Sequence, residues 1–167
     1  MVPTWGRNEW LVVLASGLLH VAYYVTLLRG YRSADLTVVY PLARGSGPLL
    51  SSMVAVVFLG EQISSLGALG IAGVVVGVFL IAGGPGLLRA RHDPEARERL
   101  RLGLWYGLLT GAFIASYTVV DGYGVKMLLM SPILIDYMGN FVRVFLLAPV
   151  VLRDLPTARS LWRTQWR

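Results

Sequence analysis

Five long apolar segments decide what this chain of 167 residues can fold into. Three of them contain no charged residue, and the other two contain only one or two. A transmembrane helix needs about 17–25 mostly apolar residues. The pattern therefore predicts an all-α integral membrane protein, a bundle of five transmembrane helices. The segments are 10–28, 36–60, 66–84, 103–120 and 132–152.

Composition favours lipid rather than water around the folded chain. Hydrophobic residues make up 56% and charged residues 14% of the sequence, whereas soluble domains carry about 25% charged residues. The chain has no cysteine, which excludes disulfides, a thiolate nucleophile and a cysteine-ligated metal. His20 and His92 lie far apart in sequence, so a histidine-based metal site is not expected either. We expect neither a metal nor a cofactor.

Short polar segments separate the spans and carry helix-start signals. Asp35 and Ser65 are predicted N-caps, and Pro132 suits the first position of the fifth span. Asp93, which precedes a proline, predicts a short polar helix that ends near Arg101 and lies on the membrane surface. The predicted division is three spans in 1–84, a polar connector in 85–102, two spans in 103–152 and a basic tail in 153–167.

Basic residues are distributed unequally if the spans alternate in direction. One side of the membrane then holds only Arg7 and Lys126. Cytoplasmic loops are enriched in Lys and Arg, so the other side, with the connector and the C-terminus, is predicted to be inside. This topology explains the net charge of +6 without nucleic-acid binding. The eleven basic residues of that side are Arg29, Arg32, Arg89, Arg91, Arg97, Arg99, Arg101, Arg153, Arg159, Arg163 and Arg167.

Glycines recur at four-residue spacing on two of the predicted spans. Gly73 and Gly77 share a face of the third span, and Gly103, Gly107 and Gly111 share a face of the fourth. Small residues at this spacing let membrane helices approach closely. We interpret both faces as internal packing surfaces of the bundle, with homodimerisation as the alternative.

The second span contains the most unusual sequence of the chain. Pro41, Gly45, Gly47 and Pro48 weaken the helical hydrogen-bond ladder, and this predicts a helix break that can serve gating. Arg44 lies in the same stretch, where a buried guanidinium is costly unless paired or hydrated. Either it faces a substrate cavity and holds an anionic group, or the span begins after it and it lies at the membrane interface.

Polar residues at membrane depth mark further candidates. Asp136, Asn140 and Arg143 are spaced i, i+4, i+7 and share one helical stripe. That stripe suits either a polar pathway wall or an internal ion-pair network. His20 on the first span is either a structural hydrogen-bonding group or a proton-carrying one. The sequence contains no phosphate-binding loop, HExxH or GxSxG motif, so we predict no catalytic residue and no enzyme.

Four stretches of this sequence resemble EamA-type transporters of the drug/metabolite transporter superfamily. Residues 34–50 (ADLTVVYPLARGSGPLL), 58–61 (FLGE) and 70–81 (GIAGVVVGVFLI) are similar to the end of that family's first repeat. Residues 110–126 (TGAFIASYTVVDGYGVK) are similar to the start of its second repeat. The resemblance implies a secondary transporter of ten helices in two inverted repeats, with substrate bound between them. The five spans would correspond to helices three to seven.

The resemblance implies a membrane permease, or a fragment of one, that moves a small metabolite or drug-like solute by alternating access. The alternative is a truncated or accessory membrane protein without transport activity of its own. Expected partners are the lipid bilayer of the inner or plasma membrane, the solute, and further copies of the chain or the missing helices. The candidate pathway residues are Tyr40, Arg44, Tyr117, Asp121, Asp136, Asn140, Arg143 and His20.

Topology can be tested by cysteine labelling, because the chain has no cysteine of its own. If the arginine count decides orientation, Ser131→Cys reacts in intact cells with a membrane-impermeant maleimide, and Arg99→Cys reacts only after lysis. Members of the EamA family usually have both ends of their ten-helix chain inside, which would place the 85–102 connector outside. The opposite labelling pattern would therefore contradict the arginine count.

Overall fold

A computed structural model describes residues 5–59, 62–81, 93–153 and 155–165, which form helices joined by short turns, without β-strands. The predicted all-α class is confirmed. The predicted ends of the second and third spans, Gly60 and Gly84, lie outside the described residues, as do connector residues 85–92. The helices are α1 (Arg7–Ser33), α2 (Leu36–Leu59), α3 (Ser65–Ile81), α4 (Pro94–Lys126), α5 (Pro132–Arg153) and α6 (Leu155–Gln165).

Length and composition make this an all-α membrane protein. Within the described part of the chain, α1, α4 and α5 are long and apolar enough to cross a membrane, and α3 is a shorter apolar helix. Large apolar side chains cover the outside of the bundle; Phe145 is 74% exposed and Leu66 is 79% exposed. Such surfaces are rare on soluble monomers and suit contact with lipid. The number of five spans stays a prediction.

The helix starts follow the sequence signals closely. The Asp93 carboxylate accepts a hydrogen bond from the Glu95 backbone N–H at 3.0 Å and caps α4, as predicted. Helix α5 begins at Pro132, as predicted. The cap of α3 differs by one residue, because the Ser64 hydroxyl, not that of Ser65, accepts the Gly67 N–H at 3.1 Å.

The separate surface helix predicted to end near Arg101 is wrong. Helix α4 instead runs without interruption for 33 residues from Pro94 to Lys126. No proline follows Pro94 in this helix, and the pairs Glu95–Arg99 and Glu98–Arg101 support its exposed first turns with charge contacts of 3.8 and 3.6 Å. These turns extend past the start of α2, since Gly103 already lies beside Val38.

The predicted break in the second span is also absent, because α2 is one continuous helix with Pro41 and Pro48 inside it. The Ser51 and Ser52 hydroxyls donate to the Pro48 carbonyl at 3.0 and 2.8 Å, a local bond that hydroxyl side chains often make inside helices. Gly45 and Gly47, which lie between the two prolines, pack against α3 and α4 and so support this stretch of the helix. A gating role for this stretch stays a prediction.

Glycines set the contact between α2 and α4. A Cβ added at Gly103 would lie 3.1 Å from Val38, and one at Gly107 would lie 2.8 Å from the Leu42 Cβ. Both helices advance by four residues from one contact to the next, so they run in the same direction. Gly45 and Gly47 of α2 are buried at similar contacts, and a Cβ on either would collide with Val78 of α3 or Ile114 of α4, respectively.

The remaining helix directions agree with alternating crossings. Helix α1 is antiparallel to α4, with Gly30 beside Tyr106 and Val12 beside Gly124. It is parallel to α5, where Gly17 lies against Val142. The ends of successive helices therefore alternate between the two sides of the bundle, as five crossings would require.

The glycine face of α3 differs from that of α4. A Cβ added at Gly70, Gly73 or Gly77 would meet nothing within 4 Å among the described residues. Internal packing through Gly73 and Gly77 therefore does not hold in this part of the structure. The reason is that α3 contacts α2 through another face, formed by Val74 and Val78 against Gly45.

The difference between the two faces predicts a difference in stability. In Gly111→Ala the new methyl meets the Ser46 side chain, its Cβ at 2.9 Å, and the Gly47 backbone N at 3.1 Å, which should cost about 1–3 kcal/mol. Gly73→Ala, the matched control, should not lower stability, since it adds a better helix former in open space. Unfolding in detergent measures both, and equal losses would refute the contact assignment.

Candidate functional site

A polar layer crosses the bundle between two apolar clusters. On one side, Val12 and Val13 of α1 pack with Met130 and Ile135. On the other side, Tyr23 and Leu27 of α1 belong to a second cluster, which also contains Val39, Ala43 and Ile114. Ser16 and His20 lie between these clusters along α1, so polar groups occupy the middle of the helix.

A cavity of about 180 Å³ lies at the level of this layer, between α1, α4 and α5. We call it the inner cavity. Four of its eight lining residues are among the predicted pathway residues, and they come from three different helices. The lining residues are Ser16, His20, Asp121, Val125, Pro132, Ile135, Asp136 and Arg143.

Helix α5 contributes an ion pair to the inner cavity. The Arg143 Nη2 atom donates to Asp136 Oδ1 at 3.2 Å, and Arg143 Nε donates to the Gly139 carbonyl at 3.2 Å. Asn140 Nδ2 donates to the other Asp136 oxygen at 3.3 Å. The Arg143 side chain is only 13% exposed, whereas that of Asp136 is 70% exposed. The three residues of the predicted stripe thus form one hydrogen-bonded group, in which the Arg143 cation is mostly buried and the Asp136 carboxylate is exposed.

His20 has a defined tautomer and a stacked neighbour. Its Nδ1 lies 2.9 Å from the Ser16 carbonyl oxygen. A carbonyl oxygen can only accept, so Nδ1 carries the proton and Nε2 is the basic nitrogen of the neutral ring. The ring stacks on Tyr117 of α4, with 3.8 Å between centroids and 25° between planes. His20 is also within electrostatic range of Arg143, Asp121 and Asp136.

Asp121 is the cavity residue that has a buried polar atom, its Oδ1, without a hydrogen-bond partner among the described residues. Buried polar atoms are nearly always hydrogen-bonded, and an unpaired buried carboxylate is expensive. Such an exception inside a polar cavity keeps Asp121 among the candidate functional residues.

Tyr40 and Arg44 lie apart from this group. They form a cation–π pair on α2, with the Arg44 Cζ 5.7 Å from the Tyr40 ring centroid, and both residues are exposed. Neither lines the inner cavity. The reason is helical phase: Val38, Leu42 and neighbours face α4, which leaves positions 40 and 44 on another face. Arg44 is still within electrostatic range of Tyr117.

Sequence reasoning missed a second cavity of about 620 Å³ between α2, α3 and α4. We call it the outer cavity. The signal that could have found it is the hydroxyl groups in apolar spans, Ser51 and Ser52 on α2 with Thr118 on α4. Helix α4 separates the cavities, with Asp121 on the inner side and Gly122 on the outer side. The lining of the outer cavity also includes Val56, Gln62, Ile63, Ser64, Gly67, Ile71, Val119, Tyr123, Lys126 and Met127.

The fold and the cavities define an all-α membrane protein with polar groups enclosed in its bundle. Residues 2–83 match the model of the EamA-like transporter family. No curated protein and no solved structure matches the chain. The resemblance to EamA-like transporters is therefore confirmed over residues 2–83, just under half of the chain. This half includes Ser16, His20, Tyr40 and Arg44.

The stack between His20 and Tyr117 predicts a matched pair of stabilities. Tyr117→Leu removes the ring and should lower the free energy of unfolding by about 2 kcal/mol, through lost stacking and packing. Tyr117→Phe keeps the ring and should stay within about 0.5 kcal/mol of the parent. Denaturation in mixed micelles measures both, and a loss as large in Tyr117→Phe would show that the hydroxyl, not the stack, matters.

Proposed function

We propose that this protein is a permease, or part of one, that moves a small metabolite or drug-like solute by alternating access without covalent chemistry. The inner cavity carries the proposal. Ionisable side chains within membrane helices are costly and mark substrate or ion pathways, and here Asp121, Asp136, Arg143 and His20 converge on one cavity. The EamA match of residues 2–83 supports the same class of function.

The sizes of the two cavities suggest a division of roles in transport. Small-molecule sites are usually about 300–1,000 Å³. The outer cavity, about 620 Å³, fits that range, whereas the inner cavity, about 180 Å³, does not. Hydroxyl and amide groups among apolar side chains line the outer cavity, which suits a solute with both polar and apolar parts. We therefore assign the solute to the outer cavity and charge compensation to the inner one.

Alternating access requires that a change in one cavity be coupled to a change in the other. Helix α4 is suited to this coupling because it lines both cavities. Thr118 and Tyr123 line the outer cavity, while Asp121 lines the inner one. The contacts of Gly103, Gly107 and Gly111 with α2 fix the position of α4 along one face. A tilt of α4 would then change the shape of both cavities together.

One observation favours the alternative, an accessory membrane protein. The Gly70, Gly73 and Gly77 face of α3 has nothing packed on it among the described residues, and small-residue faces commonly receive a partner helix. In that case the chain would contribute α3 to a larger assembly. We expect a multi-pass protein of the inner or plasma membrane in either case.

Transport can be tested in cells that express the chain. The flux of a panel of radiolabelled metabolites and fluorescent dyes should differ from that of empty-vector cells for at least one compound. For that compound, Arg143→Gln and Thr118→Val should each reduce the flux about tenfold or more, because each alters one cavity. Ser116→Ala, an exposed α4 hydroxyl bonded only to the Ala112 carbonyl, is the matched control and should not change it.

Two results would count against the permease. If the chain accumulates in the membrane and changes no flux, the accessory function is favoured. If Ser116→Ala lowers the flux as much as Thr118→Val, the outer cavity is not the solute site.

A further inference from the structure

We propose that α6 lies along the membrane surface and binds the headgroups of anionic phospholipids through Arg159 and Arg163. This surface lies outside both cavities, so the binding is independent of the proposed transport. Its basis is the place where α6 begins, the distribution of residues around this helix, and the charge of the side of the bundle to which it belongs.

Helix α6 begins at the edge of the hydrocarbon core. Helix α5 is long and apolar enough to cross a membrane, and its 22 residues extend about 33 Å, compared with about 30 Å for the hydrocarbon core. The last apolar residues of α5, 150–152, are exposed, and the exposed Arg153 follows them. Helix α6 starts at Leu155, so its first turn lies where the lipid headgroups begin.

Helix α6 is too short and too polar to enter the hydrocarbon core. Its 11 residues extend about 16 Å, about half of the core thickness, and they include two arginines. Its contact with the described part of the bundle is made mainly with α5. The described side chains of this helix are all exposed, and even Leu155 is 42% exposed. The membrane surface is therefore the apolar and polar boundary that this helix can reach.

The register of α6 separates its apolar residues from its polar ones. At 3.6 residues per turn, the apolar positions fall within about 120° of the helix circumference, and only the terminal Gln165 shares this sector. The hydroxyl residues fall on the other side, and Arg159 and Arg163 fall between the two. This order is typical of helices that lie in the membrane interface. The apolar positions are Leu155, Ala158, Leu161 and Trp162, and the hydroxyl positions are Thr157, Ser160 and Thr164.

The side of the bundle that holds α6 is basic. Gly17 of α1 lies beside Val142 of α5, and Gly30 of α1 lies beside Tyr106 of α4. The end of α1, the start of α4 and the end of α5 therefore share one side. In 29–35, 93–101, 153 and 155–165, eight arginines face four acidic residues, and such a surface is complementary to anionic headgroups. They are Arg29, Arg32, Arg97, Arg99, Arg101, Arg153, Arg159 and Arg163, against Asp35, Asp93, Glu95 and Glu98.

The arginines of α6 suit a phosphate ligand better than those of α4. Arg99 and Arg101 of α4 already pair with glutamates of their own helix. Helix α6 contains no acidic residue, and its two arginines are four residues apart, so they lie on one stripe about 6 Å from each other. A guanidinium binds phosphate oxygens in bidentate geometry. Both arginines can therefore contact headgroups while the apolar sector faces the acyl chains.

Fluorescent labelling of the full chain in lipid nanodiscs tests the proposal, because the chain has no cysteine of its own. Ala158→Cys and Ser160→Cys place a polarity-sensitive dye on opposite sides of α6 by register. In nanodiscs of equal parts phosphatidylglycerol and phosphatidylcholine, the dye at 158 should be in an apolar environment and protected from acrylamide. The dye at 160 should remain in water. With phosphatidylcholine alone, or at high salt, both should be in water.

Removal of the two arginines tests which residues bind. In the Ala158→Cys chain, Arg159→Gln with Arg163→Gln should lower the ratio of docked to undocked α6 about 25-fold, about fivefold for each arginine. Arg97→Gln with Arg99→Gln is the matched control, because it removes the same charge from the same side of the bundle and leaves α6 intact. This control should change the ratio much less.

Tryptic cleavage of the unaltered chain gives a second measurement without a label. Cleavage after Arg159 and Arg163 should be about tenfold slower in the anionic nanodiscs than in phosphatidylcholine, and salt should restore it. Three results would overturn the proposal: equal exposure of both dyes in anionic nanodiscs, equal protection at 158 in phosphatidylcholine alone, or an equal loss in the α4 control. Equal protection would indicate packing on the protein or on acyl chains alone. Absence of solute flux would leave each of these measurements unaffected.

Discussion

The close approach of α2 and α4 is the contact on which the rest of this bundle depends. Glycines at 103, 107 and 111 bring the α4 backbone against Val38, Leu42 and Ser46, without room for a Cβ at the tightest points. In lipid there is little hydrophobic force between helices, so dense backbone packing is the main attraction available. Once α4 is held in this way, its opposite faces meet α1 and α5 on one side and the outer cavity on the other. Both polar regions are consequences of where this one helix lies.

Sequence reasoning reached the class of fold, the starts of α2 and α5, and the start of α3 to within one residue, because hydropathy and caps are local signals. It also found the group around the inner cavity, since His20, Asp121, Asp136 and Arg143 are conspicuous in apolar spans. It did not show that these residues lie close together, because the packing of one helix against another is not a local signal in the sequence. The absent break in α2 has a similar cause: proline weakens an isolated helix, but the contacts of Gly45 with α3 and of Gly47 with α4 hold this helix in place.

The misplaced residues show where local reasoning ends. Tyr40 and Arg44 lie in the most distinctive stretch of the sequence, yet helical phase directs them away from the inner cavity. Gly73 and Gly77 have the same spacing as the α4 glycines, and only the partner helix distinguishes the two faces. The outer cavity was missed because hydroxyl residues are weak signals individually. Each error concerns which surfaces meet, and a single sequence carries little information about that.

The length of α4 has a mechanical consequence. A helix of 33 residues is about 50 Å long, whereas the hydrocarbon core of a bilayer is about 30 Å thick. Its charged first turns, from Pro94 to Arg101, therefore extend beyond the hydrocarbon core into water. Two ion pairs within these turns stabilise their helical conformation. If α4 pivots near Gly111, a tilt of about 10° displaces Pro94 by about 4 Å. A small tilt of the packed part of α4 would thus become a larger displacement of its first turn, outside the hydrocarbon core.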